Sequence, residues 1–142
     1  MEFKAYKMDG LGNDFVIIDE RSQDLKLNKE QIIKICDRNY IGCDQLIFIK
    51  KNKNLDASLE FYNSDGSKSD ACGNGTRCVA YLLSNEINKN EINVSVGSKI
   101  LKSKIFENNL VETSIGFPKL NWNEIPLSEN LDTKNLQLKL ID

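Results

Sequence analysis

The segment Ser69-Asp70-Ala71-Cys72-Gly73-Asn74-Gly75-Thr76-Arg77-Cys78 sets a thiol directly ahead of a Gly-Asn-Gly run. The apolar spacing of Cys78, Val79, Leu82 and Leu83 predicts a helix that begins there. A helix start leaves its first backbone N–H groups without intrahelical partners and carries a partial positive charge. Glycines at that place let an anion come close to the backbone, and a cysteine there has its thiolate stabilised. Cys72 with Gly73 and Asn74 therefore combines a carboxylate-sized anion site with an activated thiol. That pairing suits proton abstraction from a carbon next to a carboxylate. The thiolate is the base, and the N–H groups hold the carboxylate and the charge that develops on it. The segment is neither a phosphate-binding loop nor a dinucleotide fingerprint, because no G-x-G-x-x-G or Gly-Lys-Ser/Thr pattern is present.

Other residue types narrow the chemistry. The chain has no histidine, which removes the Cys-His and Ser-His-Asp arrangements and the commonest metal ligand. Asn13, Gln45, Asn63 and Asn74 are neutral amides in or beside expected loops. Each can hydrogen-bond a zwitterionic substrate without bringing charge, although amides in loops also serve as turn formers. Cys36, Cys43 and Cys78 abut apolar positions and read as core packing. The four cysteines are not spaced as a C-x2-C zinc site, so no metal is expected.

These residues need a scaffold to position them. The length of 142 residues suffices for one domain with its own core. Hydrophobic residues at 40% and charged residues at 28% give the balance of a globular protein. A net charge of −2 with scattered lysines offers no footprint for nucleic acid or an anionic membrane. No apolar run approaches a membrane span, and residues 1–7 lack the apolar core of a signal peptide, so a cytoplasmic location is expected.

Strands are predicted at 2–8, 14–19, 45–50, 57–62, 92–97, 99–106 and 110–115, the last two joined by Asn108-Asn109. Asp9 to Asn13 forms a loop, and Asn63-Ser64-Asp65-Gly66 an Asx-type turn. Asn28 is the expected N-cap of a helix over 28–39, with Gln31 three residues on and Ile32, Ile33, Ile35 and Cys36 as its apolar face. The second helix starts at Cys72 and ends within 85–90. Residues 117–135 hold both prolines and the only tryptophan and read as a linker, after which 136–140 alternates like a further strand.

Four stretches together resemble diaminopimelate epimerases. Met8-Asp9-Gly10-Leu11-Gly12-Asn13-Asp14-Phe15 is similar to that family's opening loop. Gly42-Cys43-Asp44-Gln45-Leu46 and Asn63-Ser64-Asp65-Gly66-Ser67 are similar to its second and third motifs. Ala71-Cys72-Gly73-Asn74-Gly75-Thr76-Arg77-Cys78 is similar to the first of its two catalytic cysteine segments. The motifs follow the family's order as far as about residue 118, and Gly116-Phe117-Pro118 and Ile125-Pro126 resemble its passage into a second domain.

The resemblance implies interconversion of LL- and meso-diaminopimelate in lysine and peptidoglycan-precursor synthesis, without pyridoxal phosphate or any other cofactor. One cysteine would remove the α-proton while a second delivers a proton to the opposite face. Cys72 matches the first base; Asn13, Gln45, Asn63, Gly73 and Asn74 match substrate-binding positions. The implied fold is α+β, a mixed, mostly antiparallel sheet wrapped around the helix from Cys72, one of two pseudo-repeated domains. Val79, Leu82 and Leu83 would face the sheet, and the 28–39 helix would pack nearby. Residues 1–118 would form the N-terminal domain, and 119–142 a linker with the first strand of an incomplete second one. With the second cysteine segment absent, the chain alone is expected to be inactive, and a homodimer is left open for a full-length form. Three readings stand beside this one: another isomerase of the fold, proline racemase-like or phenazine-biosynthesis-like; a non-catalytic amino-acid-binding module; and a thiol redox protein. The last needs a resolving cysteine near Cys72, whereas a helix would put Cys78 about a turn and a half on and on another face.

Overall fold

A computed structural model describes residues 2–23 and 25–137. In chain order the elements are β1 (Ala5–Gly10), β2 (Asn13–Asp19), α1 (Lys29–Cys36), β3 (Gln45–Lys50), β4 (Ala57–Asn63), β5 (Lys68–Ser69), α2 (Gly73–Ile87), β6 (Glu91–Val96), β7 (Lys99–Ile105) and β8 (Val111–Thr113). A single 3-10 turn follows at Trp122–Glu124. All eight strands belong to one sheet of order β1-β2-β3-β4-β6-β7-β8, with β5 pairing beside β4. β2 with β3 and β4 with β6 are parallel, and the other pairs are antiparallel. The α+β class and the mixed, mostly antiparallel sheet expected from the sequence are what the structure has.

The parallel pairs require crossovers, and the two helices are those crossovers. Both step the same way across the sheet, but β2 and β4 run in opposite directions. Crossovers of one hand must then put their helices on opposite faces. They do. α1 packs with Val16, Ile18, Leu46 and Phe48, whereas α2 packs with Phe15, Ile17, Ile47 and Ile49. Successive residues of β2 and β3 thus feed two different cores, which is why both strands read as unbroken apolar runs.

α2 is the centre of the larger core. Thr76, Val79, Ala80 and Leu83 recur at i, i+3, i+4 and i+7 and are all buried. The sheet curls around the helix so that β1 and β8, at its two ends, both touch it. Fully burying one such apolar side chain contributes roughly 1.5–3 kcal/mol. Leu82, expected in that core, is only half-buried against it, one position off the central stripe.

Several boundaries differ from expectation for local reasons. The first hairpin is tighter than a five-residue loop: β1 and β2 run up to Leu11-Gly12, both at positive φ (57 and 82), a two-residue turn that suits a twisted hairpin. α1 stops at Cys36, because Asp37 is extended and its carboxylate accepts from the Asn39 N–H, an Asx turn that competes with the helix. Ile33, expected on the apolar face, lies off the face that Ile32, Ile35 and Cys36 bury and is 40% exposed. In the turn after β4, the Asx bond is made by Asp65, which accepts from the Ser67 N–H, rather than by Asn63. Leu136 and Gln137 lie in no strand, and the rest of the expected 136–140 strand falls outside the described residues.

Candidate active site

The N-terminal ends of β2 and β3, the C-terminal end of β4 and the start of α2 meet at one end of the sheet. Gly75 makes this convergence possible. A Cβ there would come within 2.8 Å of Ile47 Cδ1 and Phe61 Cε1 and 3.3 Å of Phe15 Cε1, so the helix closes onto three strands only because that side chain is absent. Gly73 is different. A Cβ on it would meet nothing closer than 3.8 Å. A Cβ on the first glycine would thus make only ordinary contacts, with Arg77 Nη1 and Ile115 Cγ2 at 3.8 Å, while the second glycine serves packing.

Cys72 is the N-cap of α2, yet its side chain makes no capping hydrogen bond, and among the described residues no other side chain does so. The Cys72 carbonyl accepts from the Thr76 N–H and from Thr76 Oγ1, each at 2.8 Å, so the turn is anchored from within. Cys72 is partly exposed, and its Sγ lies 3.6 Å from Asn13 Oδ1. Asn74 Nδ2 donates to the same oxygen at 3.4 Å, and Arg77 donates to Asn74 Oδ1. The orientation of Asn13 is set from behind: its Nδ2 donates to Asp44 Oδ2 at 2.7 Å. A carboxylate only accepts, so the amide nitrogen must face Asp44 and the oxygen must face the thiol.

Asp44 is itself held. Arg38 reaches Asp44 Oδ1 at 2.7 Å and takes both oxygens of Asp14 at 2.6 and 2.8 Å, and Lys7 Nζ adds a 2.6 Å contact to Asp14. The Arg38 guanidinium, seconded by Lys7, holds the Asp14 carboxyl far below the usual carboxylate range. None of these four charged residues was foreseen from the sequence.

Gln45 and Asn63 form a second group. They are direct partners in the β3–β4 register, and Gln45 Nε2 donates to Asn63 Oδ1 at 2.9 Å and to Ser69 Oγ at 3.3 Å. Asn63 Nδ2 donates to Ser67 Oγ at 3.1 Å. Gln45 Oε1 is buried and, among the described residues, is the one buried side-chain polar atom left without a partner. Leaving such an acceptor unpaired costs about 1–3 kcal/mol. The six expected positions thus fall into two groups at the same end of the sheet, Asn13-Cys72-Gly73-Asn74 and Gln45-Asn63, with no hydrogen bond between them among the described residues. Ser69 and Arg77 join them unforeseen; β5, which carries Ser69, is only two residues long and leaves little pattern.

The remaining thiols are all buried: Cys36 is 3% exposed, Cys43 1% and Cys78 5%. Burial pushes the Cys78 thiol up. Among the described residues no three Cys, Asp or Glu side chains gather to hold a metal ion, and no helix is long and apolar enough to cross a membrane.

Comparison with known proteins supplies the wider frame. The family model described as diaminopimelate epimerase matches residues 5–120. The diaminopimelate epimerase of Pelagibacter ubique (strain HTCC1062) is 69% identical over 142 residues, which is 100% of this chain and 52% of that protein. That of Acidiphilium cryptum (strain JF-5) is 43% identical over 135 residues, 94% of this chain and 49% of its own length. The chain spans about half the length of the curated relatives it matches. Among solved structures, a methylitaconate-delta-isomerase superposes with a TM-score of 0.59 at 15% identity, over 89% of this chain and 68% of that one, a likeness of fold.

Proposed function

The chain belongs to the diaminopimelate epimerase family, and on that premise we propose that it supplies one of two bases, Cys72, to a cofactor-independent epimerisation of LL- and meso-diaminopimelate. The observation that carries this reading is the start of α2: a partly exposed thiol on a helix that no side chain caps, faced by an amide whose orientation Asp44 fixes. The N–H groups of Gly73 and Asn74 hold the substrate carboxylate, next to the carbon whose proton is moved. The Cys72 thiolate takes the α-proton, and negative charge spreads onto that carboxylate, where the helix start stabilises it. A thiol on the opposite face returns a proton and inverts the centre. Cys36, Cys43 and Cys78 are buried, so the second thiol comes from outside the residues described.

Asn13, Gln45 and Asn63 give the site an uncharged polar lining for a zwitterionic substrate. Two separate polar groups at one end of the sheet suit a substrate with an amino-acid group at each end. In this reading residues 1–118 are the N-terminal domain, the chain from 119 leads into a second one that closes over the substrate, and the product feeds lysine and peptidoglycan-precursor synthesis in the cytoplasm.

Titrating the isotope-labelled chain with meso-diaminopimelate tests the binding half of the proposal by NMR. The backbone amides of Gly73 and Asn74 and the side-chain amides of Asn13, Gln45 and Asn63 should shift together. Shifts confined to other surfaces would overturn the assignment of the site.

A further inference from the structure

Away from Cys72, two other thiols lie in contact. Cys36 is the last residue of α1 and Cys43 stands two residues before β3, and their sulfurs are 3.4 Å apart. The main chain sets this approach. The Gly42 N–H donates to the Ile35 carbonyl at 3.0 Å and the Cys43 N–H to the Cys36 carbonyl at 3.2 Å, pinning both ends of the six-residue connector. Positive φ at Gly42 (77) lets the chain turn back. Cys36 and Cys43 otherwise sit among the Val16, Ile18, Ile32 and Leu46 side chains, so each thiol has the other as its polar neighbour. The hydrogen bond with Cys36, helped by the Val16 N–H, draws the Cys43 thiol below its ordinary value; the same bond and burial push Cys36 up. One thiolate is thus favoured over two, the condition for one sulfur to react first and the other to follow.

We propose that Cys36 and Cys43 form a redox site separate from Cys72, a dithiol that a hydroperoxide converts to an intrachain disulfide stapling the end of α1 to the start of β3. The Cys43 thiolate attacks the peroxide, the O–O bond breaks, and Cys43 becomes a sulfenic acid while the released hydroxide takes a proton to leave as water. Cys36 then attacks the Cys43 sulfur; the S–S bond forms, the S–O bond breaks, and the Cys36 proton leaves with the hydroxyl as a second water. Two thiols lose two electrons in all, and the peroxide gains them. Residues 37–41 are exposed, so a small oxidant reaches the pair by opening that turn rather than the sheet. Cys43 precedes Asp44, the residue that orients Asn13, which ties the bond's formation to the Cys72 site without any sulfur being shared.

The test uses the chain as it is. The folded protein is treated with hydrogen peroxide, quenched with catalase, unfolded in iodoacetamide and digested with trypsin. Cleavage after Lys34, Arg38 and Lys50 separates the two cysteines, so the disulfide appears as peptides 35–38 and 39–50 joined, both having lost their alkylation. Dithiothreitol before alkylation should abolish the joined species. Full alkylation of Cys36 and Cys43 at a peroxide dose that oxidises Cys72 would overturn the proposal. So would Cys43 joined instead to Cys72 or Cys78, or carried on to a sulfinic acid.

Discussion

The two helices begin in opposite ways. α1 starts with a complete capping box: Asn28 Oδ1 accepts from the Gln31 N–H and Gln31 Oε1 from the Asn28 N–H, both at 2.9 Å. α2, nearly twice as long and far more central, starts at a cysteine with no side-chain cap at all. A helix of eight residues needs every local bond it can make, whereas one wrapped by the sheet is held by packing and can leave its first turn unserved. The open start is the one beside the thiol. Donors left free by the fold are donors available to a substrate.

Three pairs of substitutions and one single change sharpen or break this contrast, in descending order of effect. Leu83→Ala, deep in the core around α2, should cost about 2–5 kcal/mol in denaturant unfolding, while Ile33→Ala on the solvent side of α1 should stay within about 0.5 kcal/mol. Equal losses would mean that α2 is not held by packing. Gly75→Ala adds a Cβ against Ile47 and Phe61 and should destabilise by about 1–3 kcal/mol, less what helix propensity returns. Gly73→Ala, whose Cβ meets nothing closer than 3.8 Å, should leave the unfolding curve nearly unmoved while weakening diaminopimelate binding.

Asn28→Ala removes the cap of α1 and should cost about 1 kcal/mol. Cys72→Ser at the start of α2 should go the other way, gaining a few tenths of a kcal/mol or more as serine caps the helix, with loss of the thiol base. A cysteine variant that stabilises while it inactivates would show that this helix start is kept open at a cost. A destabilised Cys72→Ser would show that the thiol is structural.

The smallest effect concerns acid. Arg38 and Lys7 depress Asp14 in the folded state, so its contribution is complete above the unfolded carboxylate value of about 3.9 and is lost as pH falls through the lower folded value. Asp14→Asn should lose stability at neutral pH and flatten the decline below about pH 4 in acid unfolding. An unchanged acid limb would remove Asp14 from the support of the site.

What could be read from the sequence was local. The capping box of α1 is a pair three residues apart, and the start of α2 at Cys72 and its end near Asn88 follow from spacing and turn chemistry within one segment. The strands at 14–19 and 45–50 and the helix between them were legible, but that the two strands pair in parallel was not. Contacts between distant segments left no such trace. Arg38 meets Asp14 across 24 positions and Asn13 meets Asp44 across 31, and nothing in either residue's neighbourhood announces its partner. Gly73 was singled out from the sequence as a substrate-binding position, but the packing task of Gly75 against three strands was not. Cys36 and Cys43 read as two packing residues because their contact depends on where α1 ends, and Asp37 ends it earlier than apolar spacing indicates.

The central claim is that Cys72 is a proton-transfer base. It is tested most directly by following the α-proton of LL-diaminopimelate in heavy water by proton NMR, using the chain alone and the chain assembled with the remaining half of a related epimerase. The account predicts exchange in the assembled protein, falling by a factor of about 10²–10⁴ when Cys72 is replaced by alanine in a chain that still folds. Exchange that survives Cys72→Ala undiminished would contradict it.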